Sequence, residues 1–406
     1  MSTIIGAPSG PKGVDPALTV LALNSGSSSL KFGLYDVGAS QTEMLLAGEA
    51  EFDDKNGKFH AENFHRKALI SESTPLPGQR EAVIRIGRLL ADCKMPPPVA
   101  IGHRIVHGGP SLRRHCLIDD AVLRQLEEAT VFAPLHVPPA LSVIRFAREH
   151  FPGLPQAACF DTTFHAEMPD VARILPIAKD LQSDGIQRYG FHGLSCESIV
   201  HQLADEVPDR LIIAHLGNGA SVTAVKGGKS IDTSMGLTPT GGVIMGTRSG
   251  DIDPGVLVYL MRVKGFDAAK LEELVDHRSG LLGISGVGSD MRRLHQAAPL
   301  NSDAQLAIQM FCYSVRKQVA AMIAALGGLD LLVFTGGIGE NDEEAREAIC
   351  NGLSCFGIEL DLGRNRSAEN LIGASTSRCA VRVMASQEDE QIARHARALV
   401  VKLHSR

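Results

Sequence analysis

Short, almost uninterrupted apolar runs recur along the chain with helical stretches between them: "VLAL" at 20–23, "VAIGHRIV" at 99–106, "AACF" at 157–160, "RLIIAHL" at 210–216, "SVTAVKGG" at 221–228 and "LLVFTGG" at 331–337. Runs that lack polar alternation belong to strands covered on both faces, which demands a layered α/β architecture. The intervening helical patterns span 119–132, 139–150, 267–275, 302–326 and 342–353, several opening on Asp or Ser in the N-cap role. A chain of 406 residues exceeds one ordinary core, so two domains with a cleft between them are expected.

Charge and composition narrow the function. A formal net charge of -6 supplies no basic surface for nucleic acid. Residues 1–17 mix Gly, Pro and Ser and read as a loose tail without a signal-peptide core. The most apolar stretch, from Val319, is interrupted by Gly327, Gly328 and Asp330, short of the roughly 18 apolar residues of a membrane span. Eight cysteines without a C-x-x-C pair argue against a disulfide scaffold or zinc ribbon and make the cytoplasm the expected compartment.

Two segments echo each other. "VLALNSGSSSLKFGLYD" and "LIIAHLGNGASVTAVKGG" each pair an apolar strand with a Gly/Asn/Ser tip and a second strand. A two-residue turn needs only Asn-Gly, so six consecutive small hydrogen-bonding residues point to anion binding through backbone N–H groups and hydroxyls. The stretches 26–29, 217–221 and 336–341 qualify. Neither the P-loop nor the dinucleotide fingerprint is present: "GGKS" at 227–230 has Thr223 where the leading glycine belongs, and Gly337 and Gly339 are followed by Asp342 instead of a third glycine.

Other candidates each have a plainer reading. Lys31, two residues past the serines, reaches the same anion or is an exposed strand lysine. Arg104, between His103 and His107 in "GHRIVHGG" on an expected strand, needs a partner that is either a ligand or a protein carboxylate; Arg248 lies in "MGTRSGDIDPG". The two histidines, four apart and so on one face of that strand, lack a third metal ligand and read as structural. His192 in "RYGFHG" fits packing as well as catalysis, and Asp161 in "CFDTTFH" fits a ligand site at a strand end or an Asx turn. In "SQEDEQIARHARALVVKL", Glu388, Asp389 and Glu390 open a helix, where acids complement the macrodipole without any metal.

Together "NSGSSSLKF", "GHRIVHGG", "FDTTFH", "RYGFHG", "HLGNGAS", "MGTRSGDIDPG" and "FTGGIGEN", in this order from about Leu18 to the C-terminal helix, resemble the acetate and butyrate kinase family of the actin-like ATPase superfamily. The resemblance implies two actin-like, ribonuclease-H-like lobes with a central nucleotide and substrate cleft, one of residues 18–162 plus 390–406 and one of residues 163–389, the last helix crossing back to the first lobe. It implies reversible Mg²⁺-dependent transfer from ATP to acetate giving acetyl phosphate and ADP, with Mn²⁺ as a substitute metal, in a homodimer. Ser27, Ser29 and Lys31 would form the first phosphate loop, and His215, Leu216, Gly217, Asn218 and Gly219 the second. Asp290, Met291 and Arg292 with Gly337, Ile338, Gly339, Glu340 and Asn341 would hold the nucleotide. Arg104 would fix the acyl carboxylate beside Val106, Leu135, Phe191 and Pro239. His192 and Arg248 would stabilise the transferred group, Asp161 would orient the metal or its waters, and Asn24 and Glu388 would lie near the metal.

Departures from the family pattern are "LTPTGG" at 237–242, Val137 after "PLH", and Cys196. They touch the pocket rim and leave a propionate or other short-chain acyl kinase as the alternative. A hydroxyl-directed sugar kinase would want a base and a polar pocket. A nucleotide-driven protein resembling actin or a chaperone would lack an acyl pocket.

Overall fold

A computed structural model describes residues 17–404 apart from 27 and 368; the tail expected at the N-terminus lies, save residue 17, outside them. The first sheet comprises β1 (Leu18–Ser25), β2 (Ser29–Val37), β3 (Thr42–Glu51), β4 (Asp53–Asn63), β5 (Ala68–Leu76), β6 (Ala100–Ile105), β7 (Cys116–Leu117) and β8 (Gln156–Phe160). Their order is β5-β4-β3-β2-β1-β6-β8-β7. The second sheet comprises β9 (Arg210–Leu216), β10 (Ala220–Lys226), β11 (Lys229–Thr233), β12 (Leu331–Thr335) and β13 (Ala380–Val383), in the order β11-β10-β9-β12-β13.

The echo between the two hairpins is thereby a repeat of topology. In each sheet an antiparallel meander (β1-β2-β3, β9-β10-β11) continues on the far side of its first strand into parallel strands, β6 then β8 in one case and β12 then β13 in the other. This is the two-lobed actin-like fold. Parallel pairing places the carboxyl ends of β1, β6 and β8 on one edge, and those of β9, β12 and β13 on one edge of the other sheet. Open α/β sheets bind ligands at such edges.

The helix Glu388–His404 crosses back onto the first sheet, where Ile392, Ala393, Ala396 and Val400 pack on Val20, Ala22 and Ala100. Gly102 permits this approach, since a Cβ there would lie 2.5 Å from Ile392 Cγ2. The second lobe is closed by the helix Ser302–Leu326, capped by Asn301, whose Phe311, Val315, Val319 and Met322 pack against the buried face of β9 and β10.

Two expectations are corrected. β6 ends at Ile105, so His107 is not on that strand with His103. His103 pairs with Gln156 and His107 contacts the Leu237 carbonyl, each in its own buried setting. The "LLVFTGG" run stops as a strand at Thr335, and Gly336 opens a helical turn, Gly336–Asn341.

Candidate active site

The strand ends meet at a cavity of about 640 Å³ lined by residues of both sheets. From the first sheet come Asn24 and Lys31 of the β1–β2 hairpin, Arg104 and Val106 at the end of β6, and Asp161 immediately after β8. From the second come His215, Gly217, Asn218 and Gly219 of the β9–β10 hairpin and Gly337 and Glu340 after β12. Phe191, His192, Pro239, Arg248 and Glu388 complete the wall.

Arg104 has a protein partner. Its Nε lies 3.0 Å and its Nη2 2.7 Å from Asp161 Oδ2, while Nη1 donates to Asn24 Oδ1 at 3.1 Å. A guanidinium has five N–H donors, and these contacts engage one each on Nε, Nη1 and Nη2. One N–H on each terminal nitrogen is left over for a further acceptor such as an anion in the cavity. Burial pushes the Asp161 carboxyl up to about 6, opposed by the Arg104 charge; it is ionised at neutral pH and keeps the guanidinium aimed.

Asn24 is the hinge of a wider network. Its amide nitrogen donates to Asp389 Oδ1 at 2.9 Å and lies 3.4 Å from Glu388 Oε2, while its oxygen faces Arg104. The amide nitrogen is thus committed to protein groups, while the oxygen, accepting one bond from Arg104, keeps a second lone pair, so the oxygen donors offered to a cation are the carboxylates of Asp161, Glu388 and Asp389 and the Asn24 amide oxygen. Burial pushes Glu388 up, but Arg104, His215 and Lys31 outweigh it and hold its carboxyl below the usual range. Asp389 is raised, by burial first and by Glu388 second, against the Asn24 bond. Hard carboxylate oxygens gathered at one wall of this cavity fit a Mg²⁺-like ion.

On the opposite wall, His192 and Arg248 converge. A Cβ placed on Gly219 would lie 3.2 Å from His192 Nε2 and 3.5 Å from Arg248 Nη1, so both groups face the tip of the β9–β10 hairpin. His192 holds a left-handed backbone, φ 59°, at the start of the helix Gly193–Leu203, a conformation that costs roughly 1–2 kcal/mol for a residue with a Cβ. Its Nδ1 pairs with Ser221 Oγ at 3.0 Å and its ring stacks on His215. Burial, then His215, Arg104 and Arg248, hold His192 well below its ordinary value. This environment disfavours the imidazolium, and in the tautomer in which Ser221 Oγ donates to Nδ1 the ring donates from Nε2. Arg248 is held by the Pro239 carbonyl at 3.1 Å and lies 3.5 Å from His136 Nε2.

The remaining expected residues divide between this cavity and a neighbouring one of about 770 Å³ that shares Gly217, Asn218 and Gly337. Asp290, Met291, Arg292, Ile338 and Asn341 line the second. There Arg292 is turned onto Asp290 at 2.7 Å. Ser29 lines the first cavity with its hydroxyl bonded to Glu49. Leu216 is buried in β9, and Gly339 is buried beneath the turn it belongs to. Ser27 lies outside the described residues. Leu135 is half-buried and does not line the cavity; its neighbour His136 does, beside Arg248. Sequence reasoning gave Asp389 only as a helix-opening acid and did not single out His136, although the motifs containing them, "SQEDEQ" and "PLH", were in view.

A profile of the acetokinase family matches residues 19–394. The chain belongs to the acetokinase family. Among its relatives, the acetate kinase of Caldanaerobacter subterraneus subsp. tengcongensis is 40% identical over 400 residues, covering 94% of this chain and 99% of that one. Of solved structures, Porphyromonas gingivalis acetate kinase superposes with a TM-score of 0.84 at 36% identity, covering 95% of this chain and all of the other. A propionate kinase from Francisella tularensis superposes with a TM-score of 0.88 at 38% identity over 94% of this chain. Among the described residues of this acetokinase-family chain, no helix is long and apolar enough to cross a membrane.

Proposed function

We propose that this chain is an acetate kinase: it transfers the γ-phosphoryl group of ATP directly to acetate, giving acetyl phosphate and ADP, and runs the reverse reaction. The observation that carries the reading is Arg104 lining, with donors to spare on both terminal nitrogens, the same cavity in which His192 and Arg248 converge at the tip of the β9–β10 hairpin.

Acetate is ionised at pH 7, so its nucleophilic oxygen needs no base. The barrier is repulsion between a carboxylate and a terminal phosphate, followed by charge spread over the equatorial oxygens of a loose in-line transition state. Arg104 binds the carboxylate with the methyl group toward Val106, Phe191 and Pro239. Arg248 and the neutral His192 donate hydrogen bonds to the equatorial oxygens. Lys31 and the backbone of 217–219 bind the phosphate chain, and the second cavity takes the nucleoside between 290–292 and 337–341. Asp161 holds Arg104 in position. Glu388, Asp389 and Asp161, with the Asn24 amide oxygen, would hold a divalent cation, which would supply neutralisation of phosphate charge; Mg²⁺ is the expected ion and Mn²⁺ a substitute.

One methylene in an apolar pocket is worth only about 1–3 kcal/mol, so propionate is the second substrate, a reading favoured by the likeness to the Francisella tularensis propionate kinase. The lobes divide at 162/163 and 389/390, a division supported by each sheet being drawn from its own segment. A cytoplasmic homodimer is proposed. It is supported by eight free cysteines and by the helix Pro254–Lys264, which has no buried residue and exposes Val258, Tyr259, Met261 and Val263. Incubation with ATP, Mg²⁺ and acetate followed by hydroxylamine tests the reaction: acetyl hydroxamate supports it, and ATP binding without trapped product contradicts it.

A further inference from the structure

Outside the cavity, one cluster of metal-type side chains is found among the described residues: His115, Glu197 and His395. The three come from the loop before β7, the helix Gly193–Leu203 and the helix Glu388–His404. Glu197 Oε1 lies 3.4 Å from His115 Nε2, and Oε2 lies 2.5 Å from His395 Nε2. The Gln391 amide sits 3.0 Å from the same His395 nitrogen.

Two histidines and a carboxylate are a zinc-type donor set, but His115 is presented the wrong way round for a metal. Its Nδ1 accepts the Phe160 N–H at 3.0 Å, so a neutral ring carries its proton on Nε2 and donates it to Glu197. A metal-bound histidine needs the reverse, a lone pair toward the ion and an N–H behind. Burial, followed by the Glu197 hydrogen bond acting in the opposite sense, leaves His115 below its ordinary value, consistent with that neutral ring. The Glu197 carboxylate is the acceptor at the centre.

What these bonds connect is the reaction site. Phe160, bonded to His115, precedes Asp161. The Asp161 carbonyl accepts the Gly193 N–H at 2.8 Å, and a Cβ on Gly193 would lie 2.2 Å from that oxygen, so the start of the helix is seated directly on Asp161. His192 precedes Gly193, and Glu197 follows one turn later. His395 is two turns along the helix that begins with Glu388 and Asp389.

We propose that Glu197 is a positioning residue for phosphoryl transfer: by binding His115 and His395 together it holds Asp161, at the end of β8, and Glu388, at the start of the C-terminal helix, in register with His192. This rests on the kinase reading above. The bonds of Glu197 itself do not reach the phosphate loops 217–219 and 336–341; the helix Gly193–Leu203 meets that side separately, Ser195 Oγ bonding His215 Nδ1 at 2.8 Å and Ser386 Oγ at 3.0 Å.

The test is steady-state kinetics of Glu197→Gln, Glu197→Ala, His395→Gln and the double Glu197→Ala/His395→Ala variant, each with its thermal midpoint. Misaligned reacting groups lower kcat, so Glu197→Ala should lose about tenfold or more in kcat while KM for ATP stays within about twofold. His395→Gln, further from the core, should show the same split, and the double variant should be no worse than Glu197→Ala. A parental kcat in Glu197→Gln and His395→Gln would overturn the proposal. So would additive losses, losses that merely follow the thermal midpoint, or one zinc per chain retained by the parent and absent from Glu197→Ala. Hydroxamate formation by the parent chain is the control that separates failure of this proposal from failure of the kinase reading.

Discussion

Replacing Asp161 by Asn probes the centre of the site. The side chain is 1% exposed and accepts from Arg104 Nε at 3.0 and 3.2 Å and from Nη2 at 2.7 Å. Its backbone is held independently by the Ile105 carbonyl and the Gly193 N–H, so the amide fits without moving the chain. Breaking a buried ion pair costs about 3–5 kcal/mol. Part of that is recovered as Arg104 turns toward the substrate carboxylate or Asn24, and the rest appears as a misplaced guanidinium and a lost carboxylate donor. Since loss of a single preorganised electrostatic contact costs about 10²–10³ in kcat, that range is expected for Asp161→Asn at saturating ATP and acetate, read by the hydroxamate assay.

The pH dependence gives a second readout. Because the folded value of about 6 lies above the ordinary 3.8, between those values the folded chain holds a proton that the unfolded chain has released. This group's contribution to stability therefore falls as pH rises through that window, whereas activity, which needs the ionised form, rises through it. The parent should lose activity below about pH 6, and Asp161→Asn should shift that limb downward. A near-parental kcat, or an unchanged acid limb, refutes the assigned role.

Arg248→Ala should lower kcat about 10²–10³-fold with thermal stability little changed, because the guanidinium bonds a carbonyl and, among the described residues, no carboxylate pairs with it directly. Val106→Ala should enlarge the acyl pocket and move the propionate-to-acetate ratio of kcat/KM upward by about tenfold, checked by parallel assays of both acids. Removal of divalent metal with a chelator should abolish turnover, and Mg²⁺ should restore it; full activity in the chelator would count against the carboxylate donor set. Met261→Glu should convert a dimer to a monomer in light scattering, and an unchanged mass would remove the helix Pro254–Lys264 from the interface.

What the sequence made legible was local. Strands β1, β9 and β12 announce themselves as apolar runs, the phosphate-binding tips as clusters of small residues, and the helix Ser302–Leu326 as a capped periodic segment that the structure reproduces residue for residue. β5, the edge strand, and β4 beside it escaped notice because Asp53, Asp54, Lys55 and Asn56, then Glu72 and Ser73, face water and erase the apolar signal. The site was legible as a set of residue types and illegible as a network. Arg104 demanded a partner on grounds of burial, but nothing local says that the carboxylate is Asp161, 57 residues away. Nor could spacing show that Asn24 reaches Asp389 across 365 residues, or that burial among cations leaves His192 neutral. The Arg104 and Asn24 pairings arise only when the first sheet is assembled and the C-terminal helix has crossed back onto it.

The claim beneath all of this is that the cleft brings two anions together by neutralising charge and removes no proton. Its most direct test is the structure of the closed chain with a non-hydrolysable ATP analogue, Mg²⁺ and acetate. The account predicts Arg104 N–H groups on the acetate oxygens, Arg248 and His192 on the terminal phosphate, and no protein carboxylate bonded to acetate. Asp161 bonded to the acetate oxygen, with both arginines turned away from the ligands, would contradict it.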